Sequence, residues 1–165
     1  MAQVIGRTMP NGFAGSYSRQ PDMIVDTYVA DGAIPFGAPV KYGTNGVVQM
    51  GASATAAQFL GIAVREVKSA TNYLSQNVGS YVQYDATPVM KRGRVNVFCQ
   101  KGTPAANGTV YVRVAANSSY PTAVVGGIEA AADSTNTVAL TNAKFKGAAD
   151  ANGIAEIEIF FPLNA

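Results

Sequence analysis

The sequence predicts an all-β fold, a single-domain β-sandwich of jelly-roll type or a small β-barrel, with an extended N-terminal arm. Three observations predict it. From Met23 onward, short apolar runs alternate with turn residues at a spacing of about ten residues. Asn-Gly pairs stand at 11–12, 45–46, 107–108 and 152–153, and both residues tolerate the positive φ of tight turns. Helical signal is weak: ASATAAQFL (52–60), SATNYLSQNV (69–78) and IEAAADS (128–134) lack an apolar stripe of helical period and read as loops with at most a turn of helix.

Residues 1–22 are assigned to the arm and 23–165 to the β domain. The stretch AQVIGRTMPNGFAGSYSRQPD (2–22) is rich in Gly, Ser, Asn and Pro and has no periodicity. It reads either as a frayed terminus or as an arm that orders on a neighbouring subunit, and Phe13 and Tyr17 favour the second. The expected strands are MIVDTYVA (23–30), APVKYG (38–43), GVVQMG (46–51), FLGIAVREV (59–67), SYVQYD (80–85), TPVMKRGRVNVFCQ (87–100, bent or broken at Gly93), GTVYVRVA (108–115), NTVALTNAKFKGAA (136–149) and GIAEIEIFF (153–161). Several show one buried face. Val110, Val112 and Val114 share a side opposite Tyr111 and Arg113. Leu60, Ile62 and Val64 alternate with Gly61, Ala63 and Arg65, and Ile157, Ile159 and Phe161 alternate with Glu156 and Glu158.

Composition narrows the function. At 165 residues the chain is one domain with room for a core, and its charged fraction of 13% is well below the roughly 25% of an average soluble domain. A surface poor in charge suits coverage by a partner. The net charge of +2 is too small for a nucleic-acid binder, and no specific nucleic-acid partner is expected. A single cysteine excludes an intrachain disulfide and any Cys-x-x-Cys metal site, and the absence of histidine removes His-dependent catalysis and metal binding. No apolar stretch of signal-peptide or membrane-spanning length is present, so neither secretion nor a membrane partner is expected.

The densest cluster of charge is the KRGR run of 91–94. Alternation places Lys91 and Gly93 on one side and Arg92 and Arg94 on the other, unless Gly93 marks a bulge that resets the phase. Three readings compete: an exposed or subunit-facing basic edge, a salt bridge to an acidic partner, and a phosphate contact. The first is favoured. Cys99, in phase with Val95 and Val97, reads as a small buried hydrophobe. The carboxylates Asp22, Asp26, Glu156 and Glu158 read as a solvated face or as charge complements to basic neighbours. No catalytic, cofactor or metal-ligating residues are assigned.

The segments SRQPDMIVDTYVADGAIPFGAPVKYG (18–43), FLGIAVREV (59–67), PVMKRGRVNVF (88–98), GTVYVRV (108–114) and VALTNAKFKGAADANGIAEIEIF (138–160) resemble the capsid cement (decoration) proteins of tailed bacteriophages. The most telling features are Phe36-Gly37 before a short strand, the Leu-Gly-Ile-Ala-Val strand, and Asn-Ala-Lys-Phe followed by Gly-Ile-Ala. The resemblance implies a structural virion protein made in the bacterial cytoplasm. It would bind the capsid exterior and cement neighbouring capsomers against the pressure of packaged DNA, with no enzymatic activity and no cofactor. Its implied partners are the major capsid protein and further copies of itself, as a homotrimer or alternatively a homodimer. The expected capsid or subunit interface comprises Arg7, Phe13, Tyr17, Arg19, Arg92 and Arg94. Alternatives are another virion component (tail tube, connector or spike-associated) or a carbohydrate-binding module, which the absence of tryptophan disfavours.

Overall fold

The computed structural model describes residues 10–66 and 79–160. Their strands are β1 (Tyr17–Val29), β2 (Ile34–Pro35), β3 (Pro39–Tyr42), β4 (Val47–Gln49), β5 (Gly61–Ala63), β6 (Ser80–Tyr81), β7 (Ala86–Lys101), β8 (Thr109–Arg113), β9 (Ile128–Glu129), β10 (Thr137–Phe145) and β11 (Ile154–Ile159). Helix among these residues is limited to the 3-10 turns Ala56–Gln58 and Ser134–Asn136. The fold is all-β, and of the two predicted architectures the small barrel is the one formed. Strands β7, β11, β10, β8 and β9 pair in a closed ring, antiparallel except for the parallel β7–β9 step. From β7 the sheet also continues through β5 and β3 to β4, while β1 runs antiparallel along β7. A bridge between Ala30 and Val47 brings the end of β1 back against β4. Strands β2 and β6 form a separate pair.

Two cores result. The barrel interior holds Val95, Val97, Cys99, Val110, Val112, Leu140, Phe145, Ile157 and Ile159. The second core holds Ile34, Val40, Val47, Leu60, Tyr81 and Val89. The expected inward faces of β7, β8 and β11 are therefore the observed ones; Phe161 lies outside the described residues. Strand β5 departs from the expected alternation. Ile62 and Val64 enter the barrel core while Leu60 and Ala63 enter the second, because β5 lies between the two.

Strand β7 supplies both cores, and along its length it changes phase. Met90 points into the barrel core, and so do Val95, Val97 and Cys99, although 90 and 95 would face opposite ways on a regular strand. The slip occurs at Gly93, whose φ is +123°, and it is matched by extra residues in β1 between the pairs Arg19–Arg94 and Ile24–Arg92. A Cβ on Gly93 would come within 2.9 Å of the Asp22 carbonyl oxygen and the Met23 Cβ. Glycine is thus required both by the backbone conformation and by the crowding of β1.

Strand β1 begins at Tyr17, inside the segment read as an arm. Its polar start, YSRQPD, hides the strand because its apolar contacts are few: Tyr17 pairs with Val95 and Arg19 with Arg94. The preceding residues are also tied down. Gly15 N–H donates to the Asn96 carbonyl at 2.8 Å, and the buried Asn96 side chain donates to the Asn11 carbonyl at 2.5 Å and to Ser16 Oγ at 3.0 Å. Gly15 crosses Gly37, both at positive φ, and a Cβ on either would lie under 3 Å from the other's backbone nitrogen.

The second departure is at Arg113. It was expected on the outer face with Tyr111, yet it is fully buried. Residues 128–133, read as loop, supply β9 and cover it. Arg113 Nε donates to Glu129 Oε1 at 2.5 Å, and Nη2 donates to Glu129 Oε2 at 3.0 Å and to Asp133 Oδ2 at 2.8 Å. Gln100 Nε2 adds a bond to Glu129 at 2.9 Å. The geometry is the planar, forked pairing that lets a buried guanidinium stay charged. Hydrogen bonds from Asn117 and then Arg113 hold the Asp133 carboxyl below its usual range, and backbone N–H donors from Ile154, Asn11 and Asn152 do the same for Asp150.

Replacing Gly93 with alanine should lower the urea midpoint, with a cost of roughly 1–3 kcal/mol and an unchanged m-value. Glu129→Ala, which strands a buried guanidinium, should cost about 3–5 kcal/mol, whereas Arg113→Met with Glu129→Leu should recover most of that loss. Thermal unfolding should also depend on acid. The carboxyls of Asp133 and Asp150 titrate lower in the folded chain than in the unfolded one. Their stabilisation is therefore complete above the ordinary carboxylate pKa of about 4 and is lost as the pH falls below it. A melting temperature constant between pH 5 and pH 2.5 would contradict this linkage.

Candidate interaction surface

The bulge at Gly93 decides where the basic run points. Arg92 and Arg94 emerge on either side of it, on the strand that lies between β1 and β11. Both flanking strands bring carboxylates into register. Arg92 donates from Nε and Nη2 to Asp22 Oδ2 at 3.2 and 3.0 Å. Arg94 Nη2 reaches Glu158 Oε1 at 3.2 Å, and its Nη1 lies 3.9 Å from Glu156 Oε1. Arg19, across from Arg94 on β1, donates from Nε to Glu156 Oε1 at 3.0 Å. Lys146 closes the row on Glu158 Oε2 at 2.7 Å, and the Lys146 bond holds the Glu158 carboxyl below its usual range. Lys91 donates to Asp26 Oδ2 at 3.0 Å and to the Tyr28 hydroxyl at 3.2 Å, and these bonds push its ammonium up to about 12.

The result is a ladder of alternating sign across β1, β7 and β11. Arg19, Arg94 and Lys146 share Glu156 and Glu158, while Lys91–Asp26 and Arg92–Asp22 are separate pairs along β1 and β7. Of the sequence readings, the salt bridge is what the geometry holds, with the acidic groups supplied by the chain itself. The outer rungs are open to solvent: side-chain exposure is 66% for Arg19 and 45% for Arg92. Exposed pairs of this kind contribute little to stability, about 0–1 kcal/mol each.

Phe13 and Tyr17 contact the chain that follows β5 and not the ion pairs. The Arg65 guanidinium lies 5.2 Å from the Phe13 ring centroid and 5.8 Å from that of Phe36, a cation between two aromatic rings. The Tyr17 hydroxyl donates to the Glu66 carboxylate, and burial, with that bond, raises its pKa. Phe13 remains 67% exposed. Five of the six expected interface residues are thus placed around the start of β1 and the middle of β7, and Arg7 lies outside the described residues. The expected interface left out Lys91, which the sequence reading had noted in the KRGR run, and it did not include Lys146 or the pair Tyr28–Tyr42, whose rings meet edge to face at 5.9 Å. The alternation of Glu156 and Glu158 opposite a basic strand was the available signal for the first two.

The Cys99 thiol is buried in the barrel core, and burial raises its pKa, so it is a packing residue. Among the described residues, no cluster of three or more metal-ligating side chains occurs and no helix is long and apolar enough to cross a membrane.

No curated protein sequence matches the chain. A chain from a solved structure described as the capsid of Myoviridae phage XM1 shares the fold, with a TM-score of 0.69 over 97% of both chains at 20% identity. The model of the phage structural cement protein family (E217 gp24/Pam3 gp6) matches residues 1–160. The resemblance read from the sequence is therefore borne out, and the chain belongs to the phage structural cement protein family.

Proposed function

We propose that this chain binds the outer surface of a phage capsid and cements neighbouring capsomers, without catalysing a reaction. Family membership carries the coarser statement, a structural role in a phage capsid. The observation supporting the finer one is the ladder centred on β7. It is an extended, self-neutralised face in which acidic and basic groups alternate, with Tyr42 exposed at 62% beside Tyr28 and Lys91 and with Phe13, exposed at 67%, further off at the start of β1. Such a face suits a protein partner. Charge pairs fix register while aromatic side chains supply buried area, and neither sign dominates enough to attract nucleic acid. Arg19, Arg92 and Arg94, with Phe13 and Tyr17, are the contacts assigned to the major capsid protein or to an adjacent copy. Arg7 completes the set proposed from sequence. A homotrimer, or else a homodimer, matches the local symmetry of a shell. Each contact need bury only about 800 Å² per partner, because a shell repeats its sites and weak contacts add.

Purified protein should pellet with expanded capsids and stay in the supernatant with DNA of equal mass. The double variant Arg19→Glu with Arg94→Glu should bind capsids at least tenfold more weakly, about 1.4 kcal/mol. Arg92→Ala should weaken binding while moving the melting temperature little, since its pair with Asp22 is exposed. Full capsid affinity in both variants discards this face as the attachment surface. Failure of the wild-type protein to pellet discards the capsid reading itself.

A further inference from the structure

The four Asn-Gly pairs that read as turns share a chemistry of their own. The backbone nitrogen that follows an asparagine can attack the side-chain amide carbon. A five-membered succinimide closes as the Cγ–Nδ2 bond breaks, and the attacking nitrogen's proton leaves with the amine as ammonia. Water then opens the ring at either carbonyl and leaves aspartate or isoaspartate. Glycine favours the attack because no side chain blocks its nitrogen. The reaction needs a free backbone N–H, a free amide and room to rotate, and the fold supplies these unequally.

Three pairs are held. Asn11 donates from Nδ2 to the Ile154 carbonyl at 2.7 Å and from its backbone N–H to Asp150 Oδ2 at 2.8 Å. At Asn107-Gly108 the attacking nitrogen donates to the Ala105 carbonyl at 2.9 Å. At Asn152-Gly153 it donates to the Asp150 carbonyl at 3.0 Å, and the Asn152 N–H donates to Asp150 Oδ1 at 2.9 Å. Each of these pairs also has a residue at positive φ, the turn conformation expected of Asn-Gly: Gly12 at +110°, Asn107 at +62° and Gly153 at +75°.

Asn45-Gly46, at the tip of the hairpin joining β3 and β4, differs on each count. Neither residue has a positive φ. Asn45 is exposed. Among the described residues, its side chain has no hydrogen-bond partner, and neither has the Gly46 N–H. The bonds that shape this loop fall on other atoms. Asp31 Oδ2 accepts from the Thr44 and Asn45 N–H groups, each at 3.1 Å, and the Gly46 carbonyl accepts from the Gly43 N–H at 2.9 Å. Glycine is required at 46 by crowding, since a Cβ there would collide with the Val29 carbonyl. The reactive pair is thus built into the packing of β4 against the end of β1.

We propose that Asn45 is a site of spontaneous deamidation, modified faster than the other three Asn-Gly asparagines. Each event adds a negative charge beside Asp31 and lowers the formal net charge of +2 by one. Isoaspartate also inserts a methylene into the backbone between residues 45 and 46. Strand β4 ends the sheet and is held by β3 and by the Ala30–Val47 bridge, so the modification loosens an outer edge.

The test holds the full folded chain in mildly alkaline buffer and follows its tryptic peptides by mass. Cleavage after Lys41 and Arg65 releases a peptide whose only asparagine is Asn45. It should gain about 1 Da at least tenfold faster than the peptides carrying Asn11, Asn107 and Asn152, as a more acidic species grows on ion exchange. Equal rates at the four pairs, or a faster rate at any of the other three, would overturn the proposal. In the urea-unfolded chain the four rates should converge. A tenfold lead for Asn45 that persists there would trace the effect to local sequence and refute the structural account. Asn45→Gln should leave circular dichroism unchanged and remove most of the acidic species; undiminished formation of that species in the variant would also count against Asn45.

Discussion

The structure depends on one constraint: a single sixteen-residue strand must keep facing the barrel core along its length, first through even and then through odd positions, while also serving a second core. Strand β7 gives Val89 to the second core and Met90, Val95, Val97 and Cys99 to the barrel. A regular strand offers odd residues to one side and even residues to the other. One inserted step is unavoidable, and Gly93 supplies it at a φ that side chains rarely adopt. Every neighbour of β7 is arranged around that step. Strand β1 bulges opposite it, β5 pairs before it, and β11 pairs from it onward.

The same step sets the electrostatics. By resetting the phase it sends the flanking cations outward between two strands whose carboxylates lie in register. A run of like charge in the sequence thereby becomes a balanced lattice in space. The contrast with Arg113 is instructive. Both sites pair arginine with carboxylate, but the ladder is open to water and the Arg113–Glu129 pair is not. In the ladder, solvent screens each pair and losing one costs little. Around Arg113, desolvation makes the pairing obligatory and extends the requirement to Gln100, Asn117 and Asp133. One arrangement ties β9 and the loop after it to the barrel; the other is an open surface of screened pairs.

How much of this was legible in the sequence follows from what local pattern can encode. The alternation of Val110 with Val112, and of Ile157 with Ile159, reports a face buried against one core, and those faces were read correctly. The interruption at Gly93 was legible too, because KRGR breaks the period of two at a glycine. Strand β5 was misjudged because burial on both sides erases alternation, so Gly61 and Ala63 look like an outer face. The start of β1 was missed because YSRQPD is held by backbone pairing to β7, which needs no apolar side chains. Arg113 was misplaced for a different reason. A buried ion pair is defined by a residue sixteen positions away, and no local pattern in GTVYVRVA announces Glu129. The residues proposed for an interface were chosen as types, basic and aromatic, while the acidic groups that pair the basic ones across strands became visible only with the register.

A self-neutralised ladder also bears on how an attachment surface of this kind can work. A face carrying five unpaired cations would bind any polyanion, and DNA is the commonest polyanion near a capsid. Pairing those cations internally removes that attraction while keeping each guanidinium oriented. A partner with carboxylates in matching register can take over an Arg19 or Arg94 bond at small net cost, since what is broken resembles what is made. A partner without that register must leave charges unpaired, at a cost of several kcal/mol for each buried mismatch. Specificity then comes from spacing along the strands, 3.4 Å per residue and about 4.8 Å between them, rather than from net charge. That spacing is held rigid because two of the strands bearing the ion pairs, β7 and β11, also wall the barrel and β1 is hydrogen-bonded along β7, so the bulge at Gly93 that keeps β7 in phase with the barrel core also fixes the geometry of the proposed attachment surface.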